Sequence, residues 1–181
     1  VCSTGFVLSL NSEKPAIQDV FREIWSSNAR NEMVLQDLMT AYREGRQILM
    51  LTERTEHIQW FYEKMKENVP ALFVLKGGFG KKQLKQIWSD IEAAKANGNI
   101  VILATGRYIG EGFDLPELDT LFLPFPISWK GTLAQYVGRL HRISAGKTEV
   151  RVYDYVDSNV PVLARMFEKR KKGYEALGYE V

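Results

Sequence analysis

Gln47-Ile48-Leu49-Met50-Leu51 contains the unbroken apolar run Ile48-Leu49-Met50-Leu51. A strand with one wet face alternates apolar and polar side chains. A continuous run suits a strand covered on both faces, the environment of a parallel sheet. Outward from this run the periodicity changes. Residues 31–43 place Met33, Val34, Leu35, Leu38, Met39 and Tyr42 at helical spacing, and Gly45 ends the helix. Downstream, 55–67 reads as helix, 71–75 as strand and, past the Gly77-Gly78-Phe79-Gly80 turn, 81–96 as helix closed by Asn97-Gly98. Strand 100–103, an irregular stretch to Pro116, strand 120–123, helix 132–140, strand 149–155 and a last helix 160–177 continue the alternation. Upstream, 5–10 reads as a first strand and 15–25 as a helix, with Ser12 as its N-cap and Pro15 in its first turn. This order predicts an α/β domain of three layers, a mainly parallel sheet between helices, with right-handed crossovers.

The chain has 181 residues, 45% hydrophobic and 25% charged, which predicts a single domain over 1–181. Lys and Arg total 24 against 22 Asp and Glu, a net charge of +2. That balance with this apolar content excludes disorder, and it excludes a global basic field, so any polyanion must meet a local patch. Cys2 is the one cysteine, which excludes an internal disulfide framework and fits a reducing, intracellular (cytoplasmic) setting. No stretch reaches the roughly 20 apolar residues of a membrane span. The chain opens on Val1 rather than Met, which reads as a piece of something longer or a processed product.

In open parallel sheets ligands collect at the carboxyl ends of the strands, here the loops after Leu51, Leu75, Leu103 and Leu123. Several chemistries are missing. Gly146-Lys147-Thr148 resembles the end of a P-loop, but His141 stands where the first glycine belongs. Gly80-Lys81-Lys82 fails too, with Leu75 in the glycine position and Lys82 in the hydroxyl position. Both read as surface turns. One Cys and two His make no zinc set, so no metal site is expected. Two segments carry polar chemistry. Ala104-Thr105-Gly106-Arg107-Tyr108-Ile109-Gly110-Glu111-Gly112-Phe113-Asp114-Leu115-Pro116 follows a buried strand. Its Thr105, Gly106 and Arg107 can offer hydroxyl, N–H and guanidinium to a phosphate backbone, and Asp114 can accept from a ribose hydroxyl. A plain glycine-rich loop is the alternative. In Gln135-Tyr136-Val137-Gly138-Arg139-Leu140-His141-Arg142, continued helix would put Arg139 and Arg142 on one face, with Gln135 on the same side. Two such arginines suit a cluster of phosphate oxygens. An ordinary basic helix end is the alternative.

In this order the two segments resemble motifs V and VI of the second RecA-like lobe of a superfamily 2 helicase or translocase. Residues 101–105 through Gly112-Phe113-Asp114-Leu115-Pro116 resemble motif V. Gln135 through Arg142 resembles the Q-x-x-G-R-x-x-R motif VI, and Ile48-Leu49-Met50-Leu51-Thr52-Glu53-Arg54 with His57 resembles motif IV. Arg30-Asn31 and Asp154-Tyr155-Val156-Asp157 through Tyr179 resemble the DEAD/DEAH-like branch that includes the XPB-type and restriction-enzyme-like helicases. Tyr136 stands where many DEAD-box members have Arg, which argues against a strict DEAD-box assignment.

The resemblance implies a RecA-like domain working as half of an ATPase. ATP and Mg²⁺ would be held mainly by a first lobe absent from this chain, which carries the P-loop and the carboxylates. Arg139 and Arg142 would be arginine fingers, a device worth about 10³–10⁵ in rate. Gly112, Asp114 and Gln135 match positions that touch ATP. Thr52, Arg54, Thr105, Gly106 and Arg107 match contacts to a nucleic-acid backbone. The expected partners are DNA or RNA and that first lobe, with no membrane, and the chain alone should be inactive. A non-catalytic α/β partner-binding module with degenerate motifs is the rival. Elsewhere, His57 reads as a helix-surface residue and His141 as a group that positions the arginines. The basic segment 165–172 reads as a solvated helix face. Trp25, Trp60, Trp88 and Trp129 are core or interface candidates, Trp129 also a cleft candidate.

Overall fold

The computed structural model describes residues 1–9, 15–106, 115–127 and 134–181. Its elements are β1 (Cys2–Ser3), α1 (Ile17–Ser26), α2 (Asn28–Arg43), β2 (Ile48–Thr52), α3 (Thr55–Met65), β3 (Leu72–Leu75), α4 (Lys81–Lys95), β4 (Val101–Thr105), β5 (Thr120–Leu123), α5 (Ala134–Leu140), β6 (Arg151–Val156) and α6 (Pro161–Ala176). The sheet order is β1-β6-β5-β2-β4-β3, and every pairing among the described residues is parallel. All five residues of β2 are buried, as the apolar run requires of a central strand.

Alternation along the strands divides the core. Ile48, Met50, Val101, Leu103 and Phe122 face α2 and α3, meeting Val34, Leu38, Phe61 and Met65. Leu49, Leu51, Ile102, Ala104, Leu121 and Leu123 face the other way, onto Ile91 of α4, Tyr136, Val137 and Leu140 of α5, and Tyr174 of α6. A third cluster joins Val20 and Ile24 of α1 to Phe125, Val160 and Leu163. Trp25, Trp60 and Trp88 each pack half-buried against one of these clusters, while Trp129 lies outside the described residues.

The expected first strand is displaced. β1 is two residues long, pairs only with Tyr155 and Val156, and gains one further bond from Thr4 N to Val156 O at 2.9 Å. Residues 5–9 then leave the sheet, because Phe6 and Leu8 pack on the α1 cluster instead. Pro15 precedes α1 rather than sitting in its first turn: the helix is capped by Ala16, and Ser12 lies outside the described residues. α2 starts three residues before the expected 31. Ser27, in extended conformation, separates it from α1. No helix among the described residues is long and apolar enough to cross a membrane.

Candidate functional site

The parallel order β5-β2-β4-β3 brings the ends of β2 and β4 side by side, with Thr52 and Thr105 as register partners. Gly106 N donates to Thr52 O at 3.3 Å, extending the ladder by one bond. Four of the five residues expected to meet a nucleic-acid backbone therefore share one edge: Thr52, Arg54, Thr105 and Gly106. Arg107, like Gly112 and Asp114, lies outside the described residues. Two of the four are already spent. Thr52 is fully buried, with its hydroxyl 3.1 Å from His57 Nδ1, and the Gly106 N–H points at Thr52 O. Neither offers a strand the donor that the sequence suggested. Arg54 and Thr105 are partly exposed and remain on the surface.

Helix α5 is tied to this edge through Tyr136. Its hydroxyl donates to Gly106 O at 2.8 Å, where the glycine-rich segment leaves β4. Burial pushes the Tyr136 phenol up to about 12, and the charge of Arg139 works against that push, so Arg139 lies near the same corner. Arg139 is partly exposed and Gln135 exposed. The helix ends at Leu140. Arg142 therefore follows it in a tight turn rather than continuing its face, with His141 N on Gly138 O and Arg142 N on Arg139 O at 3.3 and 3.1 Å. Lys147 Nζ holds the Arg142 carbonyl at 3.0 Å and that of Pro116 at 2.8 Å. Arg142 lines an open trough of about 830 Å³ along β6, with Lys147, Arg151 and Tyr179 among its walls. His141 stacks edge-on against Tyr179, with centroids 5.1 Å apart.

Beneath the edge runs a buried polar network that the sequence reading missed. Asn31 Nδ2 donates to Trp25 O at 2.8 Å, so its Oδ1 faces His57 Nε2 at 2.9 Å. Nε2 must then carry the proton, and Nδ1 accepts from the Thr52 hydroxyl. His57 is therefore a fully buried, neutral imidazole, not a surface residue. Burial, and secondarily the Arg30 charge, lower its pKa to about 3. Arg30, 3% exposed, grips Asp157 with Nε and Nη2 at 2.9 and 3.1 Å and donates Nη1 to Pro124 O. Asp157 also accepts from the Thr4 hydroxyl.

Arg170 corrects the solvated reading of 165–172. It is 2% exposed and bidentate on Asp154 at 2.7 and 2.8 Å, with Tyr174 OH on the same carboxylate at 2.9 Å. The signal was present in the spacing. Leu163, Phe167, Arg170 and Tyr174 recur at four, three and four residues, a single helix face. His57 likewise shares a face with Phe61 and Met65, four and eight residues on, and its ring lies 5.0 Å from Phe61.

The turn after β3 and the start of α4 add a cationic cluster at the same edge of the sheet. Lys76 is partly exposed and Lys81, Lys82 and Lys85 are exposed. The first turn of α4 holds no acidic residue, an arrangement that opposes the helix dipole. No group of three or more potential metal ligands occurs among the described residues.

A family model described as "Helicase conserved C-terminal domain" matches residues 30–144, more than half of the chain. The chain belongs to this helicase family. Among relatives, transcript termination protein A18 of Yaba-like disease virus is 25% identical over 121 residues, 66% of this chain and 25% of that protein. Transcript termination protein OPG145 of Monkeypox virus is 27% identical over 115 residues, 62% of this chain and 23% of that protein. The chain thus spans about a quarter of the length of the curated relatives it matches. Among solved structures, T4 UvsW superposes with a TM-score of 0.71 at 16% identity, covering 91% of this chain and 36% of that one. The C-terminal part of the Fun30 ATPase domain gives 0.63 at 11% identity, covering 80% and 46%. The helicase C-terminal domain therefore has the RecA-like α/β architecture expected of a superfamily 2 lobe.

Proposed function

We propose that this chain is the second motor lobe of an ATP-dependent nucleic-acid helicase or translocase. ATP with Mg²⁺ is held by a first lobe that carries the P-loop. Arg139, and beyond the helix end Arg142, meet the phosphoryl group from this side as arginine fingers, with Gln135, Gly112 and Asp114 completing the nucleotide contacts. The hydrogen bond from Tyr136 OH to Gly106 O carries the reading. It joins the arginine helix to the start of the glycine-rich loop, the two segments that must act on one nucleotide. Gln135 and Arg139 reach the surface there rather than the core, which fits a ligand arriving from outside the lobe.

In this reading Arg54, Thr105 and Arg107 contact one strand through its phosphates. Lys76, Lys81, Lys82 and Lys85 extend that face across β3 and α4. Buried Thr52 supports the turn and does not touch the strand. The protein works inside the cell, where nucleic acid and ATP are found, and belongs to the XPB/restriction-enzyme-like branch that Arg30-Asn31 and Asp154–Asp157 resemble.

The test is Arg139→Lys in the intact two-lobe motor. Lysine keeps the charge and loses the planar fork. A finger acts on the transition state, so kcat should fall by about 10²-fold or more with little change in ATP affinity. An unchanged kcat would assign the lobe to non-catalytic partner binding.

A further inference from the structure

We infer that Arg30 and Asn31, neighbours in the first turn of α2, are positioning residues that hold the β2–α3 turn and the exit from β5 in one fixed relation. The inference rests on the motor reading, which makes those two segments the strand-facing turn and the approach to the arginine helix.

The β5 exit explains why an arginine is needed. Pro124-Phe125-Pro126-Ile127 is buried throughout, and two of its four residues have no N–H to join a ladder. Its carbonyls still need donors, because a buried carbonyl left unpaired costs about 1–3 kcal/mol. Arg30 Nη1 serves Pro124 O, and Arg170 Nη1, from a helix on the other side of the sheet, reaches Ile127 O at 3.4 Å. A guanidinium can do this while gripping a carboxylate, since its five N–H donors lie in one plane. Arg30 spends Nε and Nη2 on Asp157, and the Thr4 hydroxyl fixes Asp157 in turn.

One residue on, the side chain of Asn31 serves the other segment. Its Oδ1 receives His57 Nε2, His57 Nδ1 receives the Thr52 hydroxyl, and Thr52 Oγ1 lies 3.5 Å from Arg54 N. The turn that presents Arg54 is thus held through a buried imidazole, the β5 exit through a buried guanidinium, and both holds start from consecutive residues of one helical turn. Arg30 and Asn31 share one hydrogen-bonded turn of α2, where Asn31 N donates to Ser27 O at 3.0 Å, so displacement of one hold carries to the other.

Kinetics of the intact two-lobe motor test this. Arg30→Lys cannot keep two bonds to Asp157 and one to Pro124 O together. It should lower kcat at saturating single strand by about tenfold, with KM for ATP within about threefold of the parent. Asn31→Ala should raise the strand concentration for half-maximal stimulation by about tenfold. Because the two residues act as one unit, the double variant's loss in the ratio of kcat to the half-maximal strand concentration should be less than the product of the two single losses in that ratio. Arg46→Met, which breaks ion pairs with Asp119 and Glu149 at the opposite edge of the sheet, should lower the melting temperature and leave both kinetic quantities alone. If Arg30→Lys and Asn31→Ala behave like Arg46→Met, or if their effects simply multiply, the inference is overturned.

An intact motor without any ATPase would overturn the motor reading instead. Amide exchange on the 181-residue chain then decides the positioning. Asn31→Ala should speed exchange at Arg54 and Gly106 and also, across α2, at Phe125 and Ile127, and a change confined to the near side refutes the shared hold.

Discussion

His57 sets a test that needs no ligand. An unfolded chain binds a proton at this imidazole below pH 6.5, whereas the folded chain resists until about 3. Between those values the unfolded state holds more protons, so stability falls as pH falls, by up to about 1.4 kcal/mol per unit from this one group. Above pH 6.5 the contribution is complete and flat. Carboxylates add their own acid sensitivity, so the observable is a difference. His57→Gln is expected to be less stable than the parent at pH 7, because glutamine cannot satisfy both Asn31 and Thr52. Between pH 6.5 and 4.5, however, it should lose about 2 kcal/mol less than the parent. Urea unfolding at four or five pH values measures this, and parallel pH profiles would show that His57 is not held neutral. The sequence placed His57 beside the motif IV resemblance but could not show its burial. Its spacing to Phe61 and Met65 was readable, whereas the partner Asn31 comes from a different helix, 26 residues away.

At the scale of elements, the helices and strands that carry strong periodicity appear within a few residues of where the sequence put them, and the misses have identifiable causes. Residues 6–8 form a short apolar run as a strand would, but the packing of Phe6 and Leu8 on α1 outweighs the pattern. The arginine helix stops at Leu140, so the shared face of Arg139 and Arg142 is a turn and not a continued helix. No local signal marks that stop. Two joints can be tested. Tyr136→Phe removes the bond that ties α5 to the end of β4 and leaves Gly106 O without a partner among the described residues. It should cost about 1–2 kcal/mol and, in the motor reading, lower kcat without abolishing nucleic-acid binding. Asp154→Asn leaves the Arg170 charge buried without its counter-charge between α6 and β6, where loss of one partner costs about 3–5 kcal/mol. Thermal unfolding of the two variants should therefore rank Asp154→Asn well below Tyr136→Phe, and the reverse order would contradict the geometry. The spacing of Leu163, Phe167 and Tyr174 could have exposed Arg170 as a core-facing residue, but its match to Asp154 is a contact between elements that no periodicity encodes.

For the whole molecule, charge decides how a strand can be held. A net charge of +2 over 181 residues gives no general attraction for polyanions, so in the motor reading a strand is expected to bind through the cations gathered at the carboxyl edge of β2, β4 and β3. Arg54, Lys76, Lys81 and Lys82 have no carboxylate partner among the described residues, unlike Arg46, Lys95 or Arg151, whose ion pairs lie elsewhere. If four phosphates are neutralised there, affinity for a single strand should fall with salt at a log–log slope of about −3, since each contact contributes about −0.7. The contacts are to backbone, so base sequence should matter little. Reversing two charges, Lys81→Glu with Lys82→Glu, should weaken binding by more than about tenfold and flatten that slope. The same reversal at Lys169 and Lys172 on α6 should change affinity much less, because that helix follows β6 on the far flank of the sheet order. Fluorescence anisotropy with a labelled oligonucleotide across a salt series separates the two pairs. Equal losses from both would mean that the lobe attracts nucleic acid only diffusely and that no strand-binding face is built into its carboxyl edge.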